Sequence, residues 1–276
     1  MGIQKSLKYP HYATLEKAVG ETPLVAVERL RESLRIPAGV PMAYAGRLDP
    51  MASGTLLVLI GDECKRQKEY HSFDKEYQVE ILLGAHSDTG DVLGLIEQRL
   101  LPPLGEIDMQ KTLSRLRGHN AFPYPHFSSK TVHGKPLHTW ALEKRLHEIE
   151  IPTQHSIIHR ATLHDVRLVP LKEVLQTVRA KIETIPKVTE ESKALGADFR
   201  RDDVRASWDH FAHVAPPTLP LISVTIIASS GTYMRSLAEY VGTQLGTTGL
   251  AYSIHRTKIG RYFPITHQFG FWTKSF

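Results

Sequence analysis

Apolar residues recur along the chain at two different spacings, one typical of helices and one typical of strands. A first helix is predicted behind Thr22-Pro23, because a threonine N-cap followed by proline at the first helical position is a common helix start. Gly39 to Pro41 ends that pattern. The apolar face of this predicted helix consists of Leu24, Val27, Leu30 and Leu34.

Four further stretches carry a helical pattern. Asp108 is placed to cap a short helix that ends near Gly118, and Trp140 to Ile149 predicts another. A longer helix with one apolar stripe is predicted from Leu171 to Ile182. The last predicted helix follows a Ser-Ser-Gly turn, and its apolar face consists of Met234, Leu237, Ala238, Val241 and Leu245.

Other segments predict strands. Leu56 to Ile60 is an unbroken aliphatic run, typical of a strand that is buried on both faces. Apolar residues alternate from Tyr77 to Leu83, which indicates a half-buried strand, and Ile222 to Ala228 predicts a third. Because these strands and helices do not alternate as βαβ units, the pattern predicts an α+β or mixed fold.

One segment breaks the pattern. Lys187 to Arg205 carries ten charged residues of both signs in nineteen positions, with almost no apolar period. Such a composition cannot bury a hydrophobic face. We therefore expect a surface insertion that is partly helical at most, and not a domain boundary.

Composition narrows the class of protein. With 276 residues, 41% apolar and 23% charged, the chain is typical of an ordinary globular protein. Its longest aliphatic run is far shorter than the roughly 20 residues of a membrane helix, so no membrane partner is expected. Met1 to Pro10 lacks the apolar core of a secretory signal. A single cysteine, Cys64, excludes an internal disulfide and indicates a reducing, cytoplasmic compartment.

Positive charge is concentrated near the end of the chain. The formal net charge is +5, and from Gly231 onward five Lys and Arg residues face one acid, Glu239. Those cations alternate with tyrosines, a combination that suits a phosphate backbone with unstacked bases, although a solvated basic face would give the same pattern. The cations are Arg235, Arg256, Lys258, Arg261 and Lys274.

The most informative segment is Ala43 to Gly61, in which Asp49 lies in a turn rich in Gly, Pro and Ser directly before the buried strand. A carboxylate in that position is held on rigid backbone at the sheet edge, where a substrate can reach it. The alternative is an Asx-turn, in which the side chain of Asp49 only caps its own loop.

This segment resembles the catalytic motif of the TruB family of tRNA pseudouridine synthases, a glycine-x-leucine-aspartate-proline run before a small-residue turn and a strand. Further resemblances follow in the family's order. They are Asp74 to Tyr77 with Ser87 to Asp91, Arg117 to Ser129, and Ser230 to Ala238 with His255 to Gly260. The resemblance spans roughly residues 12–263. It implies the pseudouridine synthase fold: a mixed, largely antiparallel sheet with flanking helices and a central catalytic cleft.

The resemblance also implies a reaction, in which a flipped-out uridine of structured RNA becomes pseudouridine without a metal or a nucleotide cofactor. Asp49 would be the catalytic carboxylate, Arg235 its ion-pair partner, and Tyr77 the ring that stacks on the uracil with its hydroxyl near the C5 proton. From the residues alone, Arg235 could instead be a surface arginine that binds phosphate. Tyr77 could likewise be an ordinary core residue.

A second group of residues would bind the substrate. Ile254 matches an aliphatic position that backs the uracil, and Tyr44 occupies the place of a family histidine that fills the vacated base stack. Lys17 would be a structural tie to the active-site loop more than a catalyst. The remaining members of the predicted substrate-binding set are Arg47, Arg256 and Lys258.

The chain departs from the family in places that affect the choice of RNA. Ala18 replaces the proline after Lys17, Lys130 is one position off the family's lysine, and the chain ends shortly after Gly260. We therefore expect one catalytic domain over residues 1–276, with an RNA-gripping insertion at about 102–150 and no appended PUA domain. The protein is expected to be a monomer that acts on uridine 55 in the tRNA T-arm.

Alternative interpretations remain open. The same chemistry could act on ribosomal or messenger RNA, or the chain could be a non-catalytic RNA-binding or chaperone protein of this fold. His155, His159 and His164 would suit a zinc face only in a helix, and no cysteine supports it, so no metal site is predicted. Asp88 and Asp91 are expected to cap a loop or to contact RNA through water.

Overall fold

The structure, a computed structural model, describes residues 9–98, 101–102, 105–185, 200–266 and 269–276. Its strands are β1 (Tyr12–Lys17), β2 (Met42–Tyr44), β3 (Ser53–Ile60), β4 (Asp74–Leu83), β5 (Ala85–Ser87), β6 (Ile96–Gln98), β7 (Gly118–Pro123), β8 (Thr131–Val132), β9 (Lys135–Pro136), β10 (Thr153–Pro170), β11 (Thr218–Ala228), β12 (Gly249–Pro264) and β13 (Gly270–Ser275). Its helices are α1 (Pro23–Ser33), α2 (Gln67–His71), α3 (Glu106–Arg115), α4 (Leu137–Leu142), α5 (Leu171–Glu183), α6 (Arg201–Val214) and α7 (Met234–Gln244), with short 3-10 turns at Gly61–Arg66 and Leu146–Glu148.

Nine of the described strands form one sheet, in the order β1-β3-β12-β4-β11-β10-β7, with β2 added to β3 and β13 added to β12. The pairs are antiparallel except for β3 with β12, which are parallel. The prediction of a mixed, largely antiparallel sheet in an α+β fold is confirmed. The register places Arg256 on β12 beside Gly54 of β3 and Tyr77 of β4.

Strand β3 is buried on both faces, as its aliphatic run predicts. Leu56 and Val58 point toward α1, which Thr22 caps by accepting a hydrogen bond from the Val25 N–H. Leu57 and Leu59 point the other way, toward Tyr70, Phe73 and Ile259. Burying one such side chain contributes about 1.5–3 kcal/mol, so this strand anchors the turn that precedes it.

The main core lies between the sheet and helices α5, α6 and α7. The predicted stripe on α5 is buried through Val174, Val178 and Ile182. Helix α7 packs so closely on β12 that a Cβ at Gly242 would lie 2.1 Å from the backbone nitrogen of Gly249. This contact holds the C-terminal part of α7 against β12, and Arg235 lies in the first turn of the same helix.

Two predicted helices differ from the structure. Asp108 is not a cap, because α3 begins at Glu106 behind Gly105 and Asp108 lies in its first turn. Trp140 to Ile149 is not one helix, because α4 ends at Leu142 and Lys144 takes a left-handed φ of 57°. A residue in the left-handed conformation cannot continue a right-handed helix, so the helical pattern does not extend past Lys144.

The structure describes only parts of the two predicted insertions. Within residues 102–150, β7 is an edge strand of the main sheet, paired with β10, and only the part from Tyr124 onward stands off the sheet. In the stretch 187–205, residues 187–199 lie outside the described part of the chain, and Arg201 begins the well-packed helix α6. None of the described helices is long and apolar enough to cross a membrane.

Candidate active site

A cleft of about 860 Å³ opens at the edge of the central strands, and segments far apart in the sequence line it. The loop between β2 and β3 forms one wall and contains Asp49. The lining also includes Tyr77 of β4, Ile254 of β12, the start of α7 at Arg235, and parts of the loops at 89–93 and 127–129. The three residues that the motif comparison predicted to meet therefore line one cleft.

The Asp49 loop is held by backbone contacts. Gly54, with a φ of 113°, approaches Arg256 so closely that a Cβ would lie 2.2 Å from the Arg256 carbonyl oxygen. The Pro50 carbonyl accepts a hydrogen bond from the Gly20 N–H at 2.8 Å. Within the described part of the chain, the Asp49 carboxylate accepts its hydrogen bond from Arg235 and not from its own loop. The side chain of Asp49 stays 36% exposed toward the cleft.

Arg235 is the center of a buried hydrogen-bond network. Its Nε donates to Oδ2 of Asp49 at 2.8 Å, and its two terminal nitrogens donate to the carbonyls of Thr89 and Phe127 at 2.8 and 3.3 Å. Asp91 lies 3.7 Å from the same Nε. Burial alone would lower the pKa of Arg235, but the carboxylates of Asp49 and Asp91 raise it above its usual value. The guanidinium is therefore a fixed cation beside Asp49.

Asp91 was predicted to cap a loop or to contact RNA through water, and the structure shows that it caps its loop while it also faces Arg235. Its Oδ1 accepts hydrogen bonds from the Thr89 hydroxyl at 2.8 Å and the Leu93 N–H at 2.9 Å. Complete burial raises the pKa of Asp91, and Arg235 opposes that shift. Asp91 is thus a second carboxylate, besides Asp49, that lies close to the Arg235 guanidinium.

Tyr77 and Ile254 provide apolar surface inside the cleft. They lie on the neighbouring strands β4 and β12, and only 9% of Tyr77 and 5% of Ile254 remain exposed. Tyr77 pairs with Arg256 and Ile254 pairs with Val79, so the two residues are diagonal neighbours on one face of the sheet. Diagonal neighbours lie about 7–8 Å apart, a separation at which a ring and a branched aliphatic side chain can contact a flat base between them.

Arg256 was predicted to bind the substrate; it lies in the wall of the cleft but is almost fully buried. It is 1% exposed, and its guanidinium donates to the carbonyls of Thr55, Arg47 and Gly46 at 2.8, 3.1 and 3.3 Å. Burial lowers the pKa of Arg256, an effect that Tyr77 opposes. Arg256 therefore holds the backbone on both sides of Asp49 and is not presented to a phosphate.

Two predicted substrate-binding residues, Lys17 and Lys258, do not line the cleft. Lys17 is fully buried and donates to the carbonyls of Ala18 and Glu21 at 2.8 and 2.7 Å. Burial lowers its pKa to about 8. Lys258 forms a 3.2 Å ion pair with Glu76, and its side chain is 44% exposed on β12. Lys17 is thus a structural tie, whereas Lys258 belongs to the outer surface.

Tyr44 and Arg47 line the cleft at its outer part. Arg47 is exposed and donates to the Ser129 hydroxyl at 2.7 Å, which links the Asp49 loop to the segment that follows β7. Tyr44 is half-buried at the end of β2. Their contact with a substrate stays a prediction.

Two titratable residues in or beside the cleft, Lys75 and Glu239, were not assigned a role from the sequence motifs. The Lys75 ammonium donates to the His71 carbonyl, the Phe73 carbonyl and the Ser230 hydroxyl, and burial lowers its pKa to about 7. Glu239 lies one turn after Arg235 on α7, and burial raises its pKa to about 7. The sequence held a signal for Lys75, because residues two apart on a strand share a face and Lys75 precedes Tyr77 by two.

The histidines considered as metal ligands do not form a site. His155 and His159 lie on strand β10 and not on a helix, and His159 is 3.0 Å from Asp74. No group of three or more His, Cys, Asp and Glu side chains suited to a metal ion occurs in the described ranges.

The sequence of this chain is similar to that of a known family. The sequence model of the family described as TruB family pseudouridylate synthase (N terminal domain) matches residues 38–187. Similar curated proteins include tRNA pseudouridine synthase B of Azoarcus sp. (strain BH72), 27% identical over 90% of this chain and 64% of that protein. The protein of the same name from Syntrophus aciditrophicus is 29% identical over 56% of this chain and 48% of its own length. The chain thus spans between about half and two thirds of these relatives.

Solved structures resemble this one in fold. A chain in the crystal structure of a Cbf5-Nop10-Gar1 complex matches 90% of this chain and 48% of its own length, at 14% identity and a TM-score of 0.52. A chain in the structure of an H/ACA RNP bound to a substrate RNA containing 2'-deoxyuridine matches 90% of this chain and 47% of its own, at 12% identity and a TM-score of 0.51. Since the family model covers more than half of the sequence, this chain belongs to the TruB family of pseudouridylate synthases.

Proposed function

We propose that this chain converts a uridine in structured RNA into pseudouridine, and that its target is uridine 55 in the T-arm of tRNA. One observation carries the proposal: the Asp49 carboxylate is held by Arg235 at 2.8 Å in the cleft that Tyr77 and Ile254 line. An oriented carboxylate beside a hollow for a flat ring is what an isomerisation at a nucleoside needs. The names of the relatives support tRNA as the substrate class.

The reaction breaks the bond between ribose C1′ and base N1 and makes a new one between C1′ and C5. Asp49 can begin it in two ways, by attack on C1′ as a nucleophile or by removal of a ribose proton that leads to a glycal. In both, N1 leaves with the bonding electrons and the base turns until C5 faces C1′. C5 then bonds to C1′; the first route thereby breaks the bond from C1′ to Asp49, and in the second Asp49 returns the proton to the ribose. The C5 proton passes to a base, and N1 gains a proton. Substrate and product are isomers, so the balance requires no oxidant and no second substrate.

Arg235 serves Asp49 through orientation. Its three hydrogen bonds to Asp49, Thr89 and Phe127 leave the guanidinium little freedom, so the carboxylate faces the cleft in one geometry. Fixed charges in a site with little water stabilise charge that develops during a reaction better than mobile water does. The ion pair would therefore hold the Asp49 carboxylate in one orientation, aimed at the ribose.

Tyr77 and Ile254 would hold the uracil after its bond to the ribose is broken. Stacking on an aromatic ring contributes about 1–3 kcal/mol per base, which is enough to keep the detached base in place. The Tyr77 hydroxyl is the group we assign to the C5 proton. Arg256 would fix the backbone of the Asp49 loop directly. Lys17 would act one step further away, because it holds the turn whose Gly20 N–H donates to the Pro50 carbonyl of that loop.

A target uridine inside a folded RNA must leave its stack before it reaches the cleft. Tyr44, at the outer part of the cleft, is the residue we assign to the vacated position. The segment 124–149 stands over the cleft and is proposed to grip the RNA, in one catalytic domain that acts as a monomer in the cytoplasm. Phosphate contacts by exposed cations such as Arg47 would make RNA affinity fall with salt.

The test compares Asp49→Asn with the wild type on tRNA transcripts. Pseudouridine is mapped by mass spectrometry in a transcript with uridine 55, in the same transcript with cytidine 55, and in fragments of ribosomal and messenger RNA. Asp62→Asn is the matched control, because the side chain of Asp62 is 91% exposed and lies on the 3-10 turn after β3.

The proposal expects product at position 55 with the wild type and with Asp62→Asn, and none with Asp49→Asn at nearly unchanged RNA affinity. Product in ribosomal or messenger RNA alone would retain the chemistry and reject the tRNA target. If the wild type binds all of these RNAs but modifies none, the protein is an RNA-binding protein of this fold.

A further inference from the structure

Arg200, the residue directly before α6, lines the same cleft as Asp49. Its guanidinium makes a two-point ion pair with Asp88, with N–O distances of 2.6 and 3.1 Å. It also lies over the ring of Phe127, 4.3 Å from the ring center. A planar guanidinium that pairs with a carboxylate and stacks on a ring fixes the distance and the orientation of both partners.

Arg200 and Arg235 join the same two segments. Arg235 donates to the carbonyls of Thr89 and Phe127, whereas Arg200 binds the side chains of the adjacent Asp88 and of Phe127 itself. The first segment is the loop after β5, and the second follows β7. Arg200 thus contacts Phe127, whose carbonyl binds Arg235. It also contacts Asp88, the residue directly before Thr89, whose carbonyl binds Arg235 as well.

The Asp88 loop depends on this contact for its shape. Oδ1 of Asp88 accepts the Leu95 N–H at 2.8 Å as well as a nitrogen of Arg200 at 3.1 Å. One carboxylate oxygen therefore closes the loop on one side and binds the arginine on the other. Loss of the arginine would leave Asp88, whose side chain is 34% exposed, free to turn toward water.

The backbone at Arg200 is left-handed, with a φ of 55° and a ψ of 39°. Such a conformation is disfavoured for a residue with a Cβ and persists only where the surroundings impose it. The helix that follows is docked firmly: the Trp208 indole donates to the Val92 carbonyl at 3.0 Å, and the Ser207 hydroxyl accepts the Ile96 N–H at 3.0 Å. Glycine is the residue that adopts the conformation of Arg200 without strain.

We propose that Arg200 is a positioning residue for the reaction, which holds the Asp88 loop and Phe127 so that their carbonyls fix Arg235 and, through it, Asp49. This inference rests on the proposed function for its catalytic part. The guanidinium is not a phosphate contact, because Asp88 neutralises it at 2.6 Å and only 19% of the side chain is exposed.

The experiment uses the full chain with two substitutions of Arg200. Arg200→Gly removes the guanidinium and accepts the left-handed backbone without strain, so the fold is retained. Arg200→Lys keeps the charge but lacks the planar fork and its stacking. Arg205→Ala is the matched control, since Arg205 pairs with Glu183 and Asp202 on the surface of the same helix. Asp88→Asn, alone and combined with Arg200→Gly, tests whether the two residues act as a unit.

Three quantities are measured: the single-turnover rate on the tRNA transcript, the RNA dissociation constant, and amide hydrogen exchange in peptides that cover residues 87–95 and 124–129. We expect Arg200→Gly and Arg200→Lys to lower the rate on the order of tenfold to a hundredfold, as a small misplacement in an active site does. RNA affinity should stay within about twofold, exchange in both peptides should rise, and the double variant should be no slower than Arg200→Gly.

The inference is overturned if both Arg200 variants react as fast as Arg205→Ala, or if they lose RNA affinity at an unchanged rate, which would indicate a phosphate contact. A wild type that modifies no RNA rejects the proposed function, and hydrogen exchange then decides on the contact itself. Faster exchange in both peptides with Arg200→Gly supports the inference that Arg200 holds the Asp88 loop and Phe127, and unchanged exchange rejects it.

Discussion

Nε of Arg235 lies 2.8 Å from Oδ2 of Asp49, although the two residues are 186 positions apart in the sequence. The contact exists because α7 begins against the central strands while the loop between β2 and β3 ends there. Arg235 in turn is fixed by two carbonyls, so the orientation of Asp49 depends on backbone from three segments. This dependence determines what substitutions near the cleft should do.

Arg235→Lys should abolish most of the activity although it keeps the charge. A lysine ammonium cannot reach Asp49, Thr89 and Phe127 with the fixed geometry of a guanidinium, so the single-turnover rate should fall about a hundredfold or more. The fold should also weaken by about 1–3 kcal/mol, because a lysine cannot donate to the Thr89 and Phe127 carbonyls together and leaves a buried acceptor unpaired. Denaturant unfolding and single-turnover kinetics measure the two effects. Arg179→Lys, in an exposed ion pair with Asp209, is the control, and equal effects in both variants would contradict the assignment.

Tyr77→Phe and Tyr77→Ala should separate the ring of Tyr77 from its hydroxyl. The phenylalanine variant keeps the stacking surface, so RNA affinity should persist while the rate falls about a hundredfold or more, the range of a lost general base. The alanine variant should in addition release the detached base. Single-turnover assays with RNA that carries deuterium at C5 of the target uridine test the role of the hydroxyl. A wild-type rate in Tyr77→Phe would reject it.

Arg256→Met should destabilise the protein without weakening the salt-dependent part of RNA binding. The substitution leaves the carbonyls of Gly46, Arg47 and Thr55 without their donor, at a cost of about 1–3 kcal/mol for each buried group. Chemical unfolding and RNA titrations at several salt concentrations measure both properties. A smaller slope of affinity against salt, with unchanged stability, would restore Arg256 as a phosphate contact.

Glu239→Gln should change the pH dependence of folding. Burial raises the pKa of Glu239 from 4.5 to about 7, and Arg235 opposes the shift. Between those values the folded state binds more protons than the unfolded state, so this residue makes the wild type less stable as the pH rises from about 4.5 to about 7. The free energy of unfolding should therefore decline less from pH 5 to pH 8 in Glu239→Gln than in the wild type. Glu28→Gln, on the exposed side of α1, is the control and should behave like the wild type. If stability in Glu239→Gln declines as much as in the wild type, the assignment is contradicted.

Several features of the fold and site could be predicted from the sequence because local chemistry determines them. Thr22 caps α1, the run from Leu56 to Ile60 is buried, and α5 and α7 lie where their apolar stripes predict. Asp49, Tyr77 and Arg235 were found because the family motifs occur in the right order. Their convergence on one cleft followed from the resemblance and not from the periodicity.

Other features depend on tertiary contacts that no local pattern encodes. A count of charges places Arg256 on a basic surface, whereas three carbonyls near Asp49 bind it in the interior. Strand β10 was missed because most of its side chains are exposed or half-buried, so its apolar residues do not alternate. Arg200 reaches the cleft only because α6 docks through Trp208, and nothing in the charged stretch around it indicates that contact.

Release of tritium from C5 of a single labelled uridine tests the central claim most directly, since the C5–H bond breaks only when C5 takes over the bond to the ribose. A tRNA transcript labelled at uridine 55 should lose its tritium with the wild type and with Asp62→Asn, and should keep it with Asp49→Asn. Release by Asp49→Asn at the rate of the wild type, or no release from any labelled RNA by the wild type, would contradict the account.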